Sequence, residues 1–175
     1  MSRVAAVDCG TNSIRLLISD LEDGRPVDVV RTMEIVRLGE GVDATGRLSE
    51  AALERTRVAL RGYADLIAEH DARAVRMVAT SASRDADNAE RFHEMVLGVL
   101  GVEPEVISGD AEARLSFSGA VADLPPAASP RLVVDIGGGS TEFVLGVDVA
   151  EAMRSVDVGC VRMTERHLIA DPPTP

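Results

Sequence analysis

The sequence predicts an α/β fold made of two related lobes, and three observations carry that prediction. The segment Val7-Asp8-Cys9-Gly10-Thr11-Asn12-Ser13 nearly recurs as Val134-Asp135-Ile136-Gly137-Gly138-Gly139-Ser140, with a constant offset of 127 residues from Asp8 to Asp135 and from Ser13 to Ser140. Each copy stands between two short apolar runs, so each reads as strand, Gly-rich polar turn, strand. Between the copies the pattern runs β-β-β-α-β-α-β-α, the alternation of an α/β sheet.

Taken in order, Val4 to Asp8, Ile14 to Ser19 and Val27 to Leu38 read as a three-stranded meander, turned first at Gly10 and then at Glu22-Asp23-Gly24-Arg25-Pro26. A loop with Gly39, Gly41 and Gly46 leads to a helix that Ser49 is expected to cap, with Leu53, Leu60, Tyr63, Leu66 and Ile67 as its apolar stripe. Val75 to Ala79 reads as a buried strand and Thr80 to Arg84 as a polar loop. The next helix begins at Asp87 with Glu90 three residues on, and turns Phe92, Met95, Val96 and Val99 inward. Val102 to Ile107 is a further strand, followed by a helix from Ser108 to about Ala122. Pro125, Pro126 and Pro130 mark a linker. Beyond it come strands near Leu132–Ile136, Glu142–Val147 and Ala152–Val158 and a helix from about Val161. The expected division is therefore a first lobe over 1–123, a linker over 124–130 and the start of a second, unfinished lobe over 131–175.

Composition narrows the functions. The chain has 175 residues, 46% hydrophobic but only 2% aromatic, so Val, Leu, Ile and Ala build the core and base-stacking platforms are scarce. Its 29 acidic against 18 basic residues give a net charge of −11, which argues against a nucleic-acid or anionic-membrane surface. All 18 basic residues are Arg, which excludes a Walker-A loop and lysine-based covalent catalysis. Cys9 and Cys160 lack the spacing of a zinc or redox pair and read as small hydrophobes. No apolar run approaches a membrane span, so a cytoplasmic protein is expected.

The duplicated turn points to chemistry. Consecutive glycines let a backbone approach an anion that any Cβ would obstruct, and the nearby Asp residues suit a metal ion beside phosphate. The plainer alternative is a pair of ordinary hairpin turns. Glu112 lies in the first turn of a helix that follows a strand, where its carboxylate points to the ligand edge of an α/β sheet, or merely complements the helix dipole. Arg84 is suited to clamping phosphate or to pairing with a neighbouring acid. Gly39-x-Gly41-x-x-Ala44 matches a dinucleotide fingerprint only loosely, and Glu40 would repel a pyrophosphate. His70, His93 and His167 read as surface or helix-end residues.

Four segments together resemble the exopolyphosphatase and guanosine pentaphosphate phosphohydrolase family: Ala6 to Leu17, Ala79 to Arg84, Ile107 to Leu115 and Asp135 to Glu142. The resemblance runs over the whole chain but matches only the N-terminal half of such proteins. It implies a ribonuclease H-like (actin-like) lobe with a mixed β-sheet and flanking helices, followed by the first strands of a second similar lobe. It further implies Mg²⁺-assisted release of terminal orthophosphate from polyphosphate or guanosine pentaphosphate. Glu112 matches the family's catalytic glutamate, Asp135 and Glu142 its metal-binding acids, and Asp8 is a further metal candidate. Asn12, Ser13, Arg84, Gly137, Gly138, Gly139 and Ser140 match its phosphate-holding positions. Ala111 stands where many members carry a second Glu. No nucleic-acid or membrane partner is implied, and a homodimer is compatible with the family. The rival readings are a non-catalytic regulator that binds a phosphorylated alarmone and, more distantly, an actin-like kinase or ATPase.

Overall fold

The structure, a computed structural model, describes residues 2–126, 128–168, 170 and 172. The chain divides into two compact units, Met1–Val106 and Ile107–Pro175.

The first unit is a five-stranded sheet in the order β3-β2-β1-β4-β5. Strands β1 (Ser2–Cys9), β2 (Ser13–Glu22) and β3 (Arg25–Ile35) form an antiparallel meander, and β4 (Ala74–Ala79) and β5 (Glu105–Val106) run parallel to β1. Alternation along β1 and β2 sends Ala5, Val7, Cys9, Ile14, Leu16 and Ile18 into one core. Helix α2 (Glu50–Glu69) contributes Leu53, Leu60, Tyr63 and Ile67 to that core, and α4 (Ala89–Leu100) contributes Phe92 and Val96. Ser49 caps α2 as expected, accepting from the Ala52 N–H at 3.2 Å.

Departures from the sequence reading have local causes. The α4 cap is Asn88, not Asp87, and its side chain does not bond its own helix. It bonds both backbone groups of Leu48, at 2.8 and 3.0 Å, tying the loop before α2 to the head of α4. The stretch after β4 is a short helix, α3 (Ser81–Asp85), held by the Arg84 N–H on the Thr80 carbonyl at 3.0 Å. A four-residue helix, α1 (Val42–Thr45), fills the Gly39–Gly46 loop, with Gly41 and Gly46 at positive φ on either side. Glu40 there pairs with Arg55, and nothing of a dinucleotide turn remains. Strand β5 is two residues long because Pro104 supplies no N–H for the ladder. His70 ends α2, and His93 pairs with Glu103 on the surface.

The second unit contains α5 (Gly109–Val121), an antiparallel sheet of β6 (Arg131–Ile136), β7 (Thr141–Gly146) and β8 (Ala150–Val156), and α6 (Cys160–His167). The sequence reading places α5 in the first lobe. Its apolar face instead packs on the second sheet: Ala113 and Phe117, both 0% exposed, form a core with Val144, backed by Val133 and Met153. The compact boundary accordingly falls ahead of α5.

The duplicated turns are structural copies. The Gly10 N–H donates to the Ser13 carbonyl and the Gly137 N–H to the Ser140 carbonyl, each at 2.9 Å, and each turn joins two antiparallel strands. The copies differ in what covers them. The β1 and β2 face covered by α2 and α4 corresponds by the offset to Leu132, Val134, Ile136, Thr141, Phe143 and Leu145 in the second sheet, and all of these but Thr141 are exposed.

Candidate active site

Unit 2 builds an acidic row from strand register alone. Asp135 on β6 stands opposite Glu142 on β7, and Glu142 stands opposite Ser155 on β8. Register partners project from the same face of a sheet, here the face beneath α5. Glu142 is 1% exposed, and the Ser155 hydroxyl donates to its Oε1 at 2.8 Å. The Ser116 hydroxyl on α5 donates to Asp135 Oδ2 at 2.7 Å. Each hydroxyl therefore engages one oxygen of a carboxylate and fixes its orientation.

Helix α5 crosses this row. Ser108 caps it by accepting from the Ala111 N–H at 3.2 Å, and with Ala111 at the third position no Glu is there to reach back in a capping box. At its start, a Cβ on Gly109 would fall 2.6 Å from Ser155 Oγ, so only glycine lets the helix sit this close to β8. Farther along, Ser116 reaches Asp135 on β6. The rise between Gly109 and Ser116 is about 10 Å, which matches the roughly 10 Å of two inter-strand steps. Glu112 lies between these anchors along α5, one turn before Ser116 on the same helix face. It is half-buried.

The glycine loop follows directly from the row. Its carbonyls all face α6: Gly137 O accepts from the Cys160 N–H at 3.0 Å, Gly138 O from the Val161 and Arg162 N–H groups at 2.9 and 3.1 Å, and Gly139 O from Arg162 Nε at 2.9 Å. In a trans peptide the C=O of one residue and the N–H of the next point in opposite directions. The N–H groups of Gly138, Gly139 and Ser140 are thus turned away from α6, three consecutive donors of the kind that makes an anion nest. Thr141 closes the loop from below, its hydroxyl donating to the Val158 carbonyl at 2.5 Å.

The remaining predicted residues lie in unit 1. Asp8 stands opposite Arg15 in the β1–β2 ladder and pairs with it at 3.0 Å, both side chains well exposed. Asn12 and Ser13 are half-buried, and the Asn12 carbonyl accepts the Val36 and Arg37 N–H groups at 3.0 and 2.9 Å. The Thr11 and Ser81 hydroxyls bond at 2.7 Å, fastening this turn to the start of α3. Arg84 at the end of α3 has its Nε 3.7 Å from Asp85 Oδ1. Sequence reasoning missed Ser116, Ser155, Gly109, Gly159 and Arg162. Of these, Ser116 alone had a signal, one helical turn beyond Glu112.

A 32145 sheet with helices packed on its core face, joined to a second unit that repeats its first turn, is an α/β unit of the actin-like fold class. A protein of that class, PilM in the PilM–PilN type IV pilus biogenesis complex, superposes over 94% of the chain with a TM-score of 0.55 at 15% identity, a likeness of fold alone. The family model described as the Ppx/GppA phosphatase family matches residues 17–175, and the chain belongs to that family. Exopolyphosphatase 2 of Mycobacterium tuberculosis is 56% identical over 99% of the chain, which spans 57% of that relative's length. The crystal structure of an exopolyphosphatase-like protein superposes with a TM-score of 0.92 at 48% identity, covering 99% of this chain and 56% of the other. That of an exopolyphosphatase from Cytophaga hutchinsonii does so with a TM-score of 0.92 at 32% identity and the same coverage.

Proposed function

We propose that the protein is a Mg²⁺-dependent phosphohydrolase that releases terminal orthophosphate from inorganic polyphosphate, with guanosine pentaphosphate as a second substrate of the same anhydride chemistry. One observation carries the reading. At equivalent positions of the duplicated hairpin, unit 1 opposes Asp8 with Arg15, whereas unit 2 opposes Asp135 with Glu142. Like charges directly opposite one another repel, so the second hairpin holds a place for a cation where the first supplies its own.

The donor set fits Mg²⁺. Among the described residues no three His, Cys, Asp or Glu side chains gather as a ligand cluster, and Mg²⁺ is commonly held by one or two carboxylates together with substrate phosphate. Asp135 and Glu142, each with one oxygen engaged by a serine, would hold it through the other. When bound there it neutralises charge on the phosphoryl oxygens. The Gly138, Gly139 and Ser140 N–H groups hold the terminal phosphoryl group. Glu112 accepts a proton from water as the water oxygen bonds to phosphorus, while the bridging P–O bond breaks and its electron pair leaves with the shortened chain. In unit 1, Asn12 and Ser13 on the sister turn and Arg84 at the end of α3 offer a second set of phosphate donors. A binding-only regulator would need no carboxylate at Glu112 on the helix face that carries Ser116 to Asp135.

The test is phosphate release from polyphosphate, and in parallel from guanosine pentaphosphate, by the protein in its native full length. Glu112→Gln is expected to lower kcat by 100-fold or more, on the order of the loss of a general base, with KM little changed. Undiminished turnover in that variant would remove Glu112 from the mechanism.

A further inference from the structure

We infer that helix α6 is the positioning element of the phosphoryl cradle, acting through Arg162 and Gly159; the inference rests on the phosphate-binding reading of the Gly137–Ser140 loop and deepens it. A run of three glycines has more backbone freedom than any other tripeptide, so by itself it would sample many arrangements of its N–H groups. A cradle needs them held in one arrangement before the anion arrives. The structure shows what holds them. The first two carbonyls of the run are fixed by backbone N–H groups at the head of α6, bonds that any residue type at those positions can make.

The third carbonyl is different. Gly139 O shares its peptide plane with the Ser140 N–H, and the bond given to it is from the side chain of Arg162, through Nε at 2.9 Å. The Arg162 backbone N–H also holds Gly138 O at 3.1 Å, so this one residue grips two consecutive peptide groups of the loop. Nε is the donor of arginine that lies on the stem side of the guanidinium, with a direction set by the plane of the group. Lysine offers no donor at that place.

Gly159 permits the approach. A Cβ there would overlap the carbonyl carbon and oxygen of Gly138 and the nitrogen of Gly139, all backbone atoms that cannot swing aside. Its φ of −139° is ordinary extended backbone, so close contact and not conformational freedom requires glycine here. Residues 159 and 162 thus act on the cradle from behind, with Arg162 as a positioning residue, not a catalytic one.

The test uses the ¹⁵N-labelled chain titrated with tripolyphosphate and Mg²⁺, following the amides of Gly138, Gly139 and Ser140. In the wild type all three shift and saturate together. Arg162→Met, which keeps the length and loses the donor, is expected to weaken binding about tenfold, the scale of one charge-assisted hydrogen bond. The Ser140 amide should lose most of its shift while that of Gly138 keeps its own. Arg162→Lys retains the charge and is expected to fall about threefold short of the wild type by the same scale. Gly159→Ala should weaken binding as Arg162→Met does, with helix content unchanged by circular dichroism. Wild-type amides that do not respond overturn the phosphate reading itself. Wild-type amides that respond, with both Arg162 variants binding as tightly as the wild type, overturn the role of α6 alone.

Discussion

Replacing Glu142 with glutamine should stabilise the protein in the absence of metal and remove its response to Mg²⁺. Register partners on one sheet face bring their side chains to roughly 5 Å, and two unit charges at that distance repel by about 3 kcal/mol at an effective dielectric of about 20. Asp135 is only half-buried, which screens part of this and leaves about 1–2 kcal/mol. Glutamine keeps an oxygen for the Ser155 hydroxyl, so the 2.8 Å bond survives the exchange. For a unit of this size each kcal/mol moves the melting temperature by about 4–8 °C, and Glu142→Gln should melt about 5–10 °C higher in EDTA. Wild-type protein should rise in Tm when Mg²⁺ is added at tenfold its Kd, by about 1.4 kcal/mol, and the variant should not. Thermal unfolding followed by circular dichroism with and without EDTA decides it. A variant that melts lower than the wild type in EDTA, or gains equally from Mg²⁺, would refute the idea that the acid pair is a cation place.

Three further outcomes follow from unit 1 and from the sheet of unit 2. Burial and the nearby Glu34 carboxylate push the Tyr63 hydroxyl up to about 12, and it donates to the Ile14 carbonyl at 2.9 Å. Because the folded value is raised, the stability tied to the neutral phenol is complete below about pH 10 and is lost as pH rises to about 12. Tyr63→Phe should flatten that fall in a series of alkaline melts and cost about 1 kcal/mol at neutral pH through the loss of this one hydrogen bond. Cys9 is 1% exposed, burial raises its thiol far above the usual range, and Cys160 is exposed, so a thiol reagent should modify one cysteine quickly and the second only on unfolding. The open face of Leu132, Val134, Ile136, Phe143 and Leu145 should bind an apolar dye such as ANS in the 175-residue chain. Phe143→Ser with Ile136→Ser should remove most of that fluorescence without loss of helix content.

The meander of unit 1 and the stripes of α2 and α4 are legible in the chain because period-2 and period-3.6 patterns report burial, and one buried face is what these elements share. The duplicated turn is legible for a different reason: positive charge is scarce, and a Gly-rich run flanked by Asp has few purposes. The affiliation of α5 was not legible. Its moment is split between Ala113 and Phe117 on the sheet side and exposed Leu115, and nothing local says which sheet receives it. Ser116 and Ser155 escaped notice because a serine is an ordinary surface residue until register sets it beside a carboxylate. Gly159 and Arg162 escaped because their partners lie across a loop, and the sequence records no distance between them. Asp135 and Glu142 were named from the turn they flank and again through resemblance, yet their meaning came from pairing: the same ladder position holds an ion pair in one unit and two acids in the other.

The most direct test is calorimetric titration of tripolyphosphate into the protein, with and without Mg²⁺, for the wild type and for Asp135→Asn. The row and the glycine loop together predict saturable binding to the wild type that Mg²⁺ tightens by tenfold or more, about 1.4 kcal/mol, and a variant that still binds but gains little from the metal. Equal gains from Mg²⁺ in both proteins would contradict the account, because the metal would then be held somewhere other than the acidic row.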